Sequence, residues 1–214
     1  MRGIADSADC LRFRGPLGLL QALSLRLFPH SQRLLVLELV FAEFAPPPDR
    51  VTGYLPDLSI GPASEDHVAE IRDLLRRHRV WRRRREFEEV FRQQSSFLVA
   101  TNGGRIVAYA CATPSVPSTH QFARTITLGS RCAYGVHAFV DRRYRSRGVY
   151  PRLVGALIGD LRRKGYERMR LVCEPGNRVA LSSHHRVGMK TIRELRVLRV
   201  AGLVFPRQLS RSAW

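Results

Sequence analysis

Residues 136–153 read VHAFVDRRYRSRGVYPRL, and this stretch decides how the rest of the chain is read. Val136 to Val140 is apolar and strand-like, Arg145-Ser146-Arg147-Gly148-Val149-Tyr150 is a basic turn with one glycine, and Pro151 opens the next segment. A strand ending in such a turn leaves several backbone N–H groups unpaired and aimed at one point. A helix starting there adds the positive end of its dipole, so the spot suits a phosphate or pyrophosphate. Gly148 allows the backbone to approach a bulky anion closely. Pro151 fits the first helical turn, where its missing N–H costs least. Leu153, Val154, Leu157, Ile158 and Leu161 then fall on one helical face that must pack on a sheet. A short glycine turn is weak evidence by itself, because a plain strand-to-helix turn with solvated arginines reads the same way.

The pattern downstream adds to it. Arg168 to Cys173 (RMRLVC) reads as a strand, with Met169, Leu171 and Cys173 alternating against Arg168, Arg170 and Val172. Asn177-Arg178-Val179-Ala180 then opens a helix through His184, closed by Val187-Gly188-Met189. This order resembles the second half of the GNAT acetyltransferase superfamily, whose coenzyme A motif runs Gln/Arg-x-x-Gly-x-Gly/Ala. Arg145 and Gly148 match its first and fourth positions, while Tyr150 replaces the small last residue and Pro151 removes a donor beside it. The family's later motif, Asn-x-x-Ala/Ser, then Tyr or His, then Gly-Phe, is similar to Asn177, Ala180, His184, Gly188 and Met189. The resemblance spans about residues 57 to 205.

The resemblance implies an α/β (α+β) fold, a mixed central sheet flanked by helices, and transfer of an acyl group from acetyl-CoA or another acyl-CoA to an amine. It implies that Arg145, Ser146, Arg147, Gly148, Val149 and Tyr150 hold the pyrophosphate. It also implies that a backbone amide of Phe139 or Val140 meets the acyl carbonyl, and that Asn177 lies beside the pantetheine arm. His184 matches the family's thiolate-protonating tyrosine. With an ordinary pKa near 6.5, a histidine can serve as that acid or relay a proton. An amine with pKa near 10 is about one part in a thousand neutral at pH 7, so deprotonation needs help. His137 is the candidate base: in a regular strand it faces away from Val136 and Ala138. Glu174, Tyr134 and Tyr150 are lesser candidates. Both histidines have an ordinary structural reading as well.

Composition bounds the rest. The 214-residue chain carries a formal charge of +18, which favours an anionic partner. Lys164 and Lys190 are its lysines and every other basic residue is arginine; no helix-turn-helix, zinc finger or aromatic-basic motif accompanies the charge, so no specific nucleic-acid site is expected. Cys10, Cys111, Cys132 and Cys173 are widely spaced, which excludes a zinc ribbon or CxxC redox site and fits a reducing cytosol. No metal site is expected. No window reaches the length of an apolar membrane span, and no signal peptide is evident.

Leu17 to Phe28 has helical spacing, Arg33 to Phe41 reads as a strand, and Pro46-Pro47-Pro48 is a stiff break. The expected boundary falls there, with residues 1–50 an N-terminal extension and 51–214 the acyltransferase domain. A strand near Leu58 to Gly61 is followed by a helix capped by Ser64, and a second helix carries Val80, Phe87, Val90 and Phe91. Ser96 to Thr101 and Arg105 to Ala112 form a hairpin around Asn102-Gly103-Gly104, and Thr113 to Ser130 is a linking stretch. The arginines between Arg76 and Arg85 lie where the resembled family binds its acceptor. They read either as a solvated turn or as attraction for a small amine bearing an acidic group. Two other classes fit the residues: a non-catalytic acyl-CoA-binding module, and a basic nucleic-acid or membrane-surface protein. Monomer and homodimer are both open.

Overall fold

The computed structural model describes residues 30–45, 55–78, 80, 96–116, 126–200 and 203–206. The strands are β1 (His30–Val40), β2 (Leu58–Pro62), β3 (Ser96–Asn102), β4 (Arg105–Thr113), β5 (Ser115–Val116), β6 (Ile126–Thr127), β7 (Cys132–Val140), β8 (Arg168–Cys173), β9 (Lys190–Val200) and β10 (Leu203–Pro206). The helices are α1 (His67–Arg77), α2 (Val149–Arg163) and α3 (Arg178–Arg186), with short 3-10 turns at Phe41–Glu43 and Arg142–Tyr144. Eight strands form one sheet in the order β10-β9-β1-β8-β7-β4-β3-β2, and β5 pairs β6 separately within the expected link. Neighbours are antiparallel except β7 and β8, which run parallel with α2 as their crossover. This is the expected α+β class with a mixed sheet.

The β3–β4 hairpin turns where its glycines require: Gly103 and Gly104 have φ of 57° and 73°, a tight turn that side chains resist. Leu153, Val154, Leu157, Ile158 and Leu161 are all buried, and α2 lies across β3, β4 and β7. On the other face α1 buries Ile71, Leu74 and Leu75 against Phe97, Val99, Ile106, Tyr109 and Cys111. Ser64 does not cap α1 as expected. Asp66 holds the cap position with no side-chain bond, while the Ser64 amide and hydroxyl both meet His67 Nδ1 at 2.9 Å.

The stretch before residue 50 contributes a strand to the main sheet. β1, from the stretch assigned to the extension, is an inner strand, paired along β8 on one side and β9 on the other. Its unbroken apolar run explains why. Leu34 and Val36 are buried in one cluster, Leu37 and Leu39 in another, as a strand covered on both faces requires. The register shift in its pairing with β9 leaves Ile192 without an opposite residue, and Ile192 is exposed. The helix expected over Leu17 to Phe28, the triple proline, the expected second helix beyond Val80 and the arginines Arg79 and Arg82 to Arg85 lie outside the described residues.

Candidate active site

The site begins as an interruption of the sheet. β7 and β8 pair at Cys132–Arg168, Ala133–Met169 and Tyr134–Arg170, and there the pairing stops. At that point β7 has one residue too many for its other neighbour: Gly135 stands opposite Ala112, His137 opposite Cys111, and Val136 is left over. Such a bulge bends its strand and sharpens the local twist. The end of β7 therefore stays on β4 and parts from β8. Gly135 holds the two strands close just before they separate, since a Cβ there would lie 3.4 Å from Leu171 Cβ and Met169 Sδ.

Which groups face the opening is set by alternation. Asp141 N–H donates to Val107 O across β4 at 2.8 Å. With a period of two, Phe139 also bonds toward β4, and the Val140 amide points to the open side. The Val140 carbonyl, on that same side, accepts from Arg145 Nε at 3.2 Å. Of the two amides expected at the acyl carbonyl, Val140 is the one aimed into the opening.

Beyond Val140 the chain makes the 3-10 turn Arg142–Tyr144 and then the basic turn. The backbone N–H groups of Ser146, Arg147, Gly148, Val149 and Tyr150 have no acceptor among the described residues. Ser146 and Gly148 have φ of 60° and 74°, alternating with ordinary residues, a conformation that turns successive amides toward a common anion. Gly148 is also the N-cap of α2, so the helix dipole reinforces the same spot. Arg145 does not reach outward: its guanidinium folds back over the Phe139 ring, 5.8 Å from the centroid. Arg147 is exposed.

Tyr150, the departure from the expected small residue, does not fill this turn. Its side chain packs into the core cluster below α2, and its hydroxyl lies 2.7 Å from His184 Nδ1. The two rings meet edge to face at 5.7 Å between centroids. Burial pushes the His184 pKa down to about 4, with the neighbouring His185 adding to the effect. Burial, then the Cys173 thiol at the end of β8, raises that of Tyr150. Both groups are therefore neutral near pH 7. His185 is occupied elsewhere, its Nδ1 2.9 Å from Met189 O at the end of α3. The sequence treats the two histidines as alike; their packing separates them.

His137 is not oriented as a regular strand predicts. Because Val136 is the bulged residue, His137 comes two residues before Phe139, and Phe139 packs in the same cluster as Val136 under α1. His137 and Val136 thus share a face. Its Nε2 is shut off from solvent. Asn177 is the N-cap of α3, its Oδ1 accepting from Ala180 N at 3.2 Å. Glu174, at the rim of β8, accepts from Gln32 of β1 at 2.6 Å. Tyr134 is buried away from the turn, in the cluster with Leu34 and Val36.

Two residues that the sequence analysis did not single out brace the site. Asp141 is buried, accepts Arg143 N at 2.9 Å, pairs with the Arg143 guanidinium at 3.1 Å, and lies 3.2 Å from His78 Nε2. Burial alone pushes its carboxyl up, but the Arg143 hydrogen bonds and His78 outweigh that and hold its pKa at about 2. His78 ends α1 and packs on the Phe139 ring, 5.4 Å between centroids. An acidic residue closing an apolar strand was a readable signal for a cap. His78 was hidden in a run of arginines.

The comparisons agree with this geometry. The profile of the Acetyltransferase (GNAT) family matches residues 65–189. No curated protein matches the chain. Among solved structures it is similar to a GCN5-related glucosamine N-acetyltransferase region of a fungal multi-domain GH3 β-N-acetylglucosaminidase, with a TM-score of 0.56 and 17% identity over 83% of this chain; it spans 21% of that protein. It is also similar to the aminoglycoside N-acetyltransferase AAC(6')-Iy in complex with a bisubstrate analogue, CoA-S-monomethyl-acetylneamine, with a TM-score of 0.52 and 20% identity over 72% of this chain and 99% of that one. A Staphylococcus epidermidis protein of unknown function has a TM-score of 0.53 at 10% identity, covering 86% and 67%. At these identities the likeness is one of fold. The family match covers most of the chain, from the start of α1 through the end of α3, and the chain belongs to the GNAT acetyltransferase family.

Proposed function

We infer that this protein is an N-acyltransferase that moves an acyl group from acetyl-CoA or a similar acyl-CoA to the amine of a small acceptor by direct attack. One observation carries the reading: the β7–β8 opening that starts at the Val136 bulge leads to a turn at the head of α2 whose amides have no acceptor among the described residues. The pyrophosphate then lies on residues 145–150, and the pantetheine arm enters the opening beside Asn177. The Val140 amide donates to the thioester carbonyl as negative charge develops there. His184 serves the departing thiolate. Being neutral, it acts by passing a proton on, not as a standing imidazolium. His137 is the residue assigned to accept the amine proton.

The acceptor we assign is an amine carrying an acidic group, drawn by arginines between Arg76 and Arg85. Arg76 and Arg77 are exposed in the last turn of α1, and Arg76 pairs with Asp73 at 2.8 Å. The buried thiols Cys111, Cys132 and Cys173 fit a reducing compartment such as the cytoplasm.

The test is calorimetry with acetyl-CoA, followed by a panel of acidic and neutral amines with free thiol as the readout. Gly148→Glu, which sets bulk and negative charge at the pyrophosphate, should abolish acetyl-CoA binding. Unchanged affinity in that variant rejects the assigned turn. Acetyl-CoA binding without thiol release for any amine favours a non-catalytic module, and equal use of neutral amines removes the acidic acceptor.

A further inference from the structure

The acyltransferase reading leaves one contact in the site unexplained. The position that ordinarily takes a small residue holds Tyr150, and its hydroxyl is 2.7 Å from the one ring that the later motif places in the site. Tyr150 is set in the first turn of α2, two residues after Gly148, and packs against the cluster that contains Leu171 and Cys173 of β8 and is lined by Val140 of β7. The hydroxyl thus lies where α2 and α3 meet, within electrostatic reach of Cys173 at the end of β8. A buried phenol of this kind needs a partner. His184 supplies one and keeps its second nitrogen in reserve.

Resting on the acyltransferase reading, we propose that Tyr150 is the catalytic proton donor to the departing thiolate, and that His184 positions and reloads it. The amine nitrogen bonds to the acyl carbon, the carbon–sulfur bond breaks, and the electron pair leaves on sulfur. The Tyr150 O–H gives its proton to that sulfur. The His184 Nδ1–H replaces it on the phenol oxygen, and His184 Nε2 takes up a proton from water, to which His137 passes on the proton it accepted from the amine. Neither a tyrosinate nor an imidazolium forms, and exchange with water resets the ring. The opposite arrangement, with the Nε2–H going to sulfur and the phenol proton going to Nδ1, strands a buried tyrosinate. Burial opposes both charged forms, so the neutral relay is the route that this pair permits.

The experiment compares kcat/KM of wild type, Tyr150→Phe and His184→Gln with two donors: acetyl-CoA, and the acetyl thioester of an aromatic thiol whose thiolate is far less basic. A donor to sulfur matters only when the leaving thiolate is basic. Tyr150→Phe should lose roughly a hundredfold with acetyl-CoA and little with the aromatic thioester, with acetyl-CoA affinity by calorimetry close to wild type. His184→Gln should show the same donor dependence with a smaller loss, and it carries the comparison alone if Tyr150→Phe fails to fold. An equal loss with both donors, or no loss, overturns the inference while leaving the acyltransferase reading standing. Wild-type protein that releases no thiol with any amine overturns that reading, and the inference with it.

Discussion

His184 illustrates how one residue's surroundings set its chemistry. On the surface its imidazole would titrate near pH 6.5; buried against Tyr150 it titrates at about 4. The sign of the consequence is fixed. Between those two values the unfolded chain binds a proton that the folded chain refuses, so stability is full above about pH 6.5 and falls as the pH drops toward 4. The loss from this residue amounts to about 3 kcal/mol. Denaturant unfolding at pH 7 and pH 4.5 should show it, and His184→Phe should flatten the difference between the two. An unchanged slope in His184→Phe would show that other groups carry the acid sensitivity. Asp141, held at about 2, acts only in more acid solution, where its protonation releases Arg143 and His78.

At the scale of elements, the site depends on where two strands stop pairing. Gly135 lies close against β8 just past the last paired residue, Tyr134, and Val136 is the bulge beside it. The room at Gly135 admits a single methyl group and no more. Gly135→Ala should stay within about 1 kcal/mol of wild type, while Gly135→Val should cost about 1–3 kcal/mol by forcing the Leu171 and Met169 side chains aside. Chemical denaturation measures both. If Gly135→Val is neutral, the close approach of β7 and β8 is not what holds the mouth of the opening. Asp141 works at the same scale: one carboxylate starts the 3-10 turn that leads to the anion site and holds the end of α1 through His78. The turn that would bind the cofactor and the helix on the opposite face of the sheet are thus tied at one buried charge.

For the whole molecule, the decisive feature is the place of β1. A chain starting at residue 51 lacks an inner strand, leaving β8 and β9 with facing edges unpaired and the partners of Leu34, Val36, Leu37 and Leu39 uncovered. Such a truncation should show no cooperative unfolding transition and should not bind acetyl-CoA. A truncated chain that melts cooperatively would mean that β8 and β9 close on each other without it. What residues near one another in the chain can encode was legible in the sequence: the period-two strands, the glycine hairpin, the apolar face of α2, and the turn at Arg145 to Tyr150 ahead of Pro151. Each of these depends on local backbone preference or on a face repeated within one element. Other features were settled only by tertiary structure. The Val136 bulge exists only against β4, and it reverses the side to which His137 points. The insertion of β1 joins strands more than a hundred residues apart. The Tyr150–His184 contact arises because α2 and α3 converge on the end of β8. These are long-range pairings between complementary surfaces, and a linear sequence lists the two surfaces without saying which will meet.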